Sequence, residues 1–165
     1  MKFEHLVEIN NPRDSLVTPI TRVQLWRGLV LRAEQPTLFM PQLDTCDILS
    51  RSHNTLSRRL RFGNLTVHDH VWYDTPKQIR FVVPAQEEIA ESFLTVTIEE
   101  PFPNQLFVRF SYQDASPEEG PESRYNDYRR SAYHAADLDT ISTIRQMVRN
   151  GLFKAALPDN ERIAD

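Results

Sequence analysis

Cysteine is nearly absent from this chain: Cys46 is the only one in 165 residues. An intramolecular disulfide is thereby excluded, and a cysteine-based zinc site would lack ligands. Glycine occurs only four times, and no glycine-rich phosphate loop is present. GxSxG and HExxH are missing as well. No stretch approaches the ~18 consecutive apolar residues of a membrane span. The opening Met1-Lys2-Phe3-Glu4-His5 has no apolar signal-peptide core. Positive charge is not in excess either. The formal net charge is −4, which disfavours non-specific binding to nucleic acid. Basic residues cluster at Arg58-Arg59-Leu60-Arg61 and Arg129-Arg130, but the first cluster falls on both faces of an expected strand, so it forms no continuous phosphate-tracking stripe. These absences imply a reduced, cytoplasmic protein with no cofactor, no metal, no nucleic-acid partner and no membrane span.

What is present is an ordinary globular balance, 40% apolar and 25% charged, in a chain long enough for one domain with a core. Residues 3–9 alternate as a half-buried strand does, with Phe3, His5, Val7 and Ile9 on one face. Thr21 to Gln24 fits a capping box. The apolar stripe of Leu25, Leu29 and Ala33, flanked by Trp26 and Val30, predicts a helix that ends near Gln35, ahead of Pro36. A further helical turn is expected over 36–40. Short strands follow at 46–52, 56–62, 65–73, 78–83, 92–100 and 106–112. Gly63-Asn64 forms a two-residue hairpin turn. Connections this short imply antiparallel neighbours. Residues 84–91 read as a loop or bulged edge, and 115–122 as an exposed loop.

From about residue 122 to 152 no Pro or Gly interrupts a helical stretch until Gly151. Its apolar pattern changes phase. Ile141, Ile144, Val148 and Leu152 share one face, whereas Tyr125, Tyr128, Ala132 and Ala135 fall nearly opposite. Either the helix breaks between about 133 and 137, or it continues and turns Arg130, His134 and Asp137 inward. The fold class expected is α+β, a curved seven-stranded antiparallel sheet around a long C-terminal helix. Such a sheet must curl to bury one face against one helix. This is the helix-grip (START / Bet v 1-like) layout. The domain is expected over 1–153, with a loose tail over 154–165.

Five segments, taken in order, carry a resemblance: Met1-Lys2-Phe3-Glu4-His5, Leu25-Trp26-Arg27-Gly28-Leu29, the run from Leu60 to Val67, the run from Thr95 to Pro101, and Arg129-Arg130-Ser131-Ala132-Tyr133. Together they are similar to the AtaL-like family, a group without assigned function in the SRPBCC (START-like) superfamily. The resemblance runs from residue 1 to roughly 150. It implies the helix-grip fold and a cavity for a hydrophobic ligand, and it supplies no catalytic residues. One namesake belongs to a fungal secondary-metabolite gene cluster.

The informative residues are polar ones in the inward phase of strands, because a lone buried charge is costly and must find a partner, a ligand or water. His5 lies in phase with Val7 and Ile9, Arg58 with Leu60 and Phe62, and Asp69 with Val67 and Val71. The turn at Gly63-Asn64 places Arg58 directly across from Asp69, so the two form a pair that serves either a ligand or only the fold. His68 and His70 fall in the opposite, outward phase and are expected to be solvated rather than metal-bound. Trp26 and Tyr112 are candidates for an aromatic cavity wall, and Arg130, Tyr133 and Asp137 for a polar end contributed by the helix. The eight candidate lining residues are thus His5, Trp26, Arg58, Asp69, Tyr112, Arg130, Tyr133 and Asp137. The first function expected is binding of a small hydrophobic molecule between sheet and helix. A second is a cyclase, dehydratase or isomerase, with Asp69 or His5 as general base and Arg58 steadying an oxyanion. A third is a protein-interaction module, and exposed strand edges leave room for a homodimer.

Overall fold

The structure, a computed structural model, describes residues 1–154. The tail expected over 154–165 therefore lies, from residue 155 onward, outside the described residues. Strand β1 (Lys2–Asn10) is followed by helix α1 (Arg22–Glu34) and a short 3-10 turn at Pro36–Leu38. Six strands come next: β2 (Thr45–Arg51), β3 (Thr55–Phe62), β4 (Leu65–Asp74), β5 (Gln78–Val83), β6 (Ser92–Phe102) and β7 (Gln105–Asp114). Helix α2 (Ser123–Arg149) closes the order. All seven strands form one antiparallel sheet in the order β1-β7-β6-β5-β4-β3-β2. Each meander strand pairs with its neighbour in sequence, and β1 returns to the far edge beside β7. No helix among the described residues is long and apolar enough to cross a membrane.

Local chemistry fixes the ends of these elements. The capping box expected at Thr21 is formed: Gln24 N–H donates to Thr21 Oγ1 at 3.0 Å, and Thr21 N–H donates to Gln24 Oε1 at 2.8 Å. The β1–α1 connection is clamped by buried Asn10, whose side chain bonds both the N–H and the carbonyl of Ile20 at 3.0 and 2.7 Å. Gly63 has φ 59°, which a residue without Cβ adopts at no steric cost. The hairpin it opens pairs Phe62 with Leu65, Leu60 with Val67 and Arg58 with Asp69, the register read from the sequence.

Helix α2 runs unbroken, so the phase change in its apolar pattern does not mark a break. One face stays inward along its whole length and changes chemistry. Ile141 and Ile144 are buried in the C-terminal half, Asp137 at the middle and Asn126 in the first turn. Tyr125 and Tyr128 point to solvent, 70% and 72% exposed.

The two helices meet at Gly28, where an added Cβ would lie 2.7 Å from Ile144 Cγ2. Ile144 is fully buried and cannot swing aside. In an exposed helix Gly→Ala would stabilise by about 1 kcal/mol. Here Gly28→Ala is expected to cost about 1–3 kcal/mol through overpacking, read from denaturant unfolding. Unchanged stability would show that the helices separate freely.

Candidate functional site

The inward face of the sheet is filled at one end and open at the other. At the filled end Val7, Ile9, Leu56, Val71, Ile79, Val96, Ile98, Leu106, Val108 and Phe110 join Leu25 and Leu29 of α1 and Ile141 and Ile144 of α2 in one core. Toward the other end the same phase of the same strands lines a half-open cavity of about 420 Å³. Its wall is mainly apolar: Leu60, Phe62, Val67, Phe81, Val83 and Leu94, with Met40 and Ile89 from the connecting segments. Polar groups lie where core gives way to cavity.

Arg58 and Asp69 are one of these groups, 5% and 4% exposed. Arg58 Nε and Nη2 donate to the two Asp69 oxygens at 2.9 and 2.6 Å, and Nη1 donates to the carbonyl of Ala33 at 2.7 Å. This bidentate pair ties the β3–β4 hairpin to the last turn of α1. Both Asp69 oxygens thus accept from Arg58, and the pair is satisfied within the protein.

The second group centres on Asp137, which has no exposed surface. Tyr112 O–H donates to its carboxylate, with its oxygen 2.7 and 2.8 Å from the two carboxylate oxygens, and His5 Nε2 lies 2.7 Å from Oδ2. Burial pushes the Asp137 carboxyl above its ordinary range against the opposing hydrogen bonds from His5 and Tyr112. Burial and the neighbouring Asp137 charge push the Tyr112 phenol up, so Tyr112 keeps its proton. Its ring stacks face to face on Tyr133, with centroids 4.1 Å apart at 5°. The His5 ring lies between those of Phe3 and Phe110, each 5.4 Å away. Its Nδ1 is buried with no hydrogen-bond partner among the described residues.

The eight residues singled out from the sequence therefore separate. Arg58, Asp69, Tyr112 and Tyr133 stand in the cavity wall. His5 and Asp137 lie behind Tyr112, bonded to one another and away from the cavity surface. Trp26 is not in the wall; it packs edge-on to Tyr73, 6.4 Å between centroids, against the filled core. Arg130 is not in the wall either. It pairs with Glu118 at 2.6 Å and Asp127 at 2.9 Å on the outer side of α2, because two nearby carboxylates offer it a solvated alternative to burial. His134 is exposed, its ring 4.8 Å from that of His5. His68 and His70 are exposed, and His70 Nδ1 lies 3.0 Å from Ser57 Oγ. Among the described residues no group of three or more His, Cys, Asp or Glu is placed to hold a metal ion.

Two charged wall residues were not read from the sequence. Arg32, in the last turn of α1, reaches the cavity and donates from Nε to Thr140 Oγ1 at 3.2 Å. It follows Leu25 by seven positions and Leu29 by three, so the apolar stripe itself points it inward. Asp114, at the end of β7, accepts from Arg129 and from the Met1 amino group. Burial works against its ionisation, but hydrogen bonds from Arg129, Ser116 and that amino group outweigh burial and hold it at about 2.

A family model described as acetylaranotin biosynthesis cluster protein L, AtaL, matches residues 5–151. No curated protein matches the chain. In structure it is similar to the Zhui aromatase/cyclase from Streptomyces sp. R1128, with a TM-score of 0.62 and 14% identity over 90% of this chain and 95% of that one. It is also similar to StfQ, the di-domain ARO/CYC of the steffimycin biosynthetic pathway, at 0.68 and 10% over 91% and 52%. A third likeness is to a STAR-related lipid transfer protein from Xanthomonas axonopodis, at 0.60 and 11% over 87% and 85%. These likenesses show the helix-grip fold.

Breaking the Arg58–Asp69 pair from one side leaves a buried charge. Asp69→Leu alone is expected to cost about 3–5 kcal/mol, and the double replacement Arg58→Met with Asp69→Leu less than that, in a double-mutant cycle of denaturant unfolding. A double variant weaker than the single would contradict this account.

Acid titration separates the other two carboxyls. Asp114, with its folded value depressed, contributes stability in full above its ordinary value of 3.8 and loses it as pH falls through about 2. Asp137, with its folded value raised, contributes most below the ordinary range and loses that contribution as pH rises through its raised value. Asp114→Asn should therefore flatten the acid limb of a stability–pH curve, and Asp137→Asn should steepen the loss on acidification. The same slope in both variants and the parent would refute the assignment.

Proposed function

The chain belongs to the AtaL family, and from that premise we propose that it binds a small, largely apolar molecule in the cavity between the sheet and helix α2. The observation that carries this reading is the change along five strands from packed core to open, apolar wall without any change of strand phase. A protein that needed only to be stable would fill that end with side chains, since unfilled apolar volume costs stability. The cavity falls within the ~300–1,000 Å³ range of ligand sites and sets a few polar groups in an apolar wall, as such sites do. The aromatase/cyclase and lipid-transfer likenesses support the same class of ligand.

One observation favours a second reading, an enzyme of the cyclase, dehydratase or isomerase kind. Tyr112 faces the cavity and is backed by Asp137 and then His5. In that reading the Tyr112 hydroxyl, its own proton directed to Asp137, would accept a hydrogen bond from a reacting hydroxyl of the substrate, and Asp137 and His5 would position it. Tyr112→Phe would then abolish turnover with binding retained, whereas a pure binder would lose little.

Val67 lies in the cavity wall, so a larger side chain there should occlude the cavity without touching the core. N-phenyl-1-naphthylamine, a neutral apolar fluorophore, is expected to bind the parent protein with a dissociation constant on the order of micromolar. Val67→Trp should weaken it about tenfold or more, with the unfolding midpoint little changed. Absence of binding, or binding indifferent to Val67→Trp, would count against the cavity as a ligand site and favour the protein-interaction reading.

A further inference from the structure

The charges facing the cavity do not balance. Asp69 is neutralised by Arg58, and Asp114 by Arg129 and the Met1 amino group. Arg32 has no such partner: no carboxylate among the described residues forms an ion pair with it. Asp137 acts on it electrostatically, but spends its hydrogen bonds on Tyr112 and His5. Of the five N–H donors of Arg32, the one on Nε is committed to Thr140 Oγ1. Thr140 cannot turn away from that bond, because its own hydroxyl donates to the carbonyl of Ala136 at 3.1 Å. The anchor fixes the stem of the guanidinium, and among the described residues its two terminal nitrogens have no hydrogen-bond or ion-pair partner. Its carbon lies 5.6 Å from the centre of the Phe81 ring, which also faces Arg58 at 5.1 Å. The aromatic contact offsets part of the cost of a cation against an apolar wall. A carboxylate would offset far more, and its two oxygens match the guanidinium fork.

We infer that Arg32 receives the anionic end of the ligand, which is therefore an apolar acid ionised at neutral pH. The apolar body would lie along Phe62, Val67, Val83 and Leu94, with the carboxylate at the border of core and cavity. Arg58 could not do this as well, because three of its donors are already held by Asp69 and Ala33. This inference rests on the ligand-binding reading above, and the test keeps the two apart.

The probes are 2-naphthoate and its neutral isostere 2-naphthamide, titrated calorimetrically into the full chain at neutral pH. The parent protein is expected to prefer the acid about tenfold or more. Arg32→Met, which keeps the apolar stem, should erase the preference while still binding the amide, and Arg32→Lys should retain part of it. Equal affinity of the parent for both probes would overturn the inference and leave the cavity reading standing. Binding of neither probe would overturn both. If Arg32→Met lost both probes while Arg32→Lys showed no preference, Arg32 would be a structural cation only, and the inference would fail.

Discussion

Asp137 is a carboxylate without exposed surface, and the placement of helix α2 over the sheet depends on how it is satisfied. Its partners come from the two neighbouring strands β1 and β7, His5 from one and Tyr112 from the other. A buried carboxylate left unpaired would cost several kcal/mol; bonded to both strands it pins the midpoint of the helix to that edge of the sheet. On the C-terminal side of this pin the helix is held by Ile141 and Ile144 packing against the core. On the N-terminal side polar ties take over, with Arg129 reaching Asp114 and Asn126 reaching the carbonyl of Pro117. Polar ties hold a helix in place without filling the space beneath it, so the sheet beyond the pin keeps an open concave end.

The pin also accounts for where the polar groups sit. Val71, Phe81, Leu94 and Tyr112 lie in one row across the sheet, as their pairings require, and Arg58 and Asp69 face each other in the next row, two residues further along β3 and β4; the two rows form a band. On one side of this band each strand carries core residues, and on the other it carries wall. Charged groups are tolerable there because they can be paired within the protein on one side and meet water or a ligand on the other. The bidentate grip of Arg58 on Asp69, extended to the Ala33 carbonyl, also fixes the last turn of α1, and with it the position of Arg32. The parts of the cavity that carry charge are thus held from both helices.

Much of this was legible from residue order. Thr21 and Gln24 announced the start of α1, Pro36 its end, and Gly63-Asn64 the register that faces Arg58 with Asp69. The resemblance to AtaL-like proteins is matched by the family comparison and by the helix-grip likenesses. Trp26 and Arg130 show the limit. Both stood close to an inward phase, but Trp26 found room against Tyr73 and the core, and Arg130 found Glu118 and Asp127 outside. Long side chains choose among neighbours that sequence spacing does not name. Arg32 was passed over for the converse reason. A cation beside an apolar stripe ordinarily reads as a solvated flank, and only the cavity beneath the helix end makes it a lining residue.

By itself the sequence determined the elements, their antiparallel pairing and the inward phase of β1, β3 and β4, because these follow from side-chain alternation, turn chemistry and capping within short stretches of chain. It also placed polar residues in that inward phase. Only the tertiary structure decided which inward positions are packed and which stand open. Val71 and Val67 have the same alternation on the same strand, yet one is core and the other cavity wall. The difference lies in what stands opposite them, and that is settled by where Asp137, on a helix far along the chain, is drawn down onto the sheet.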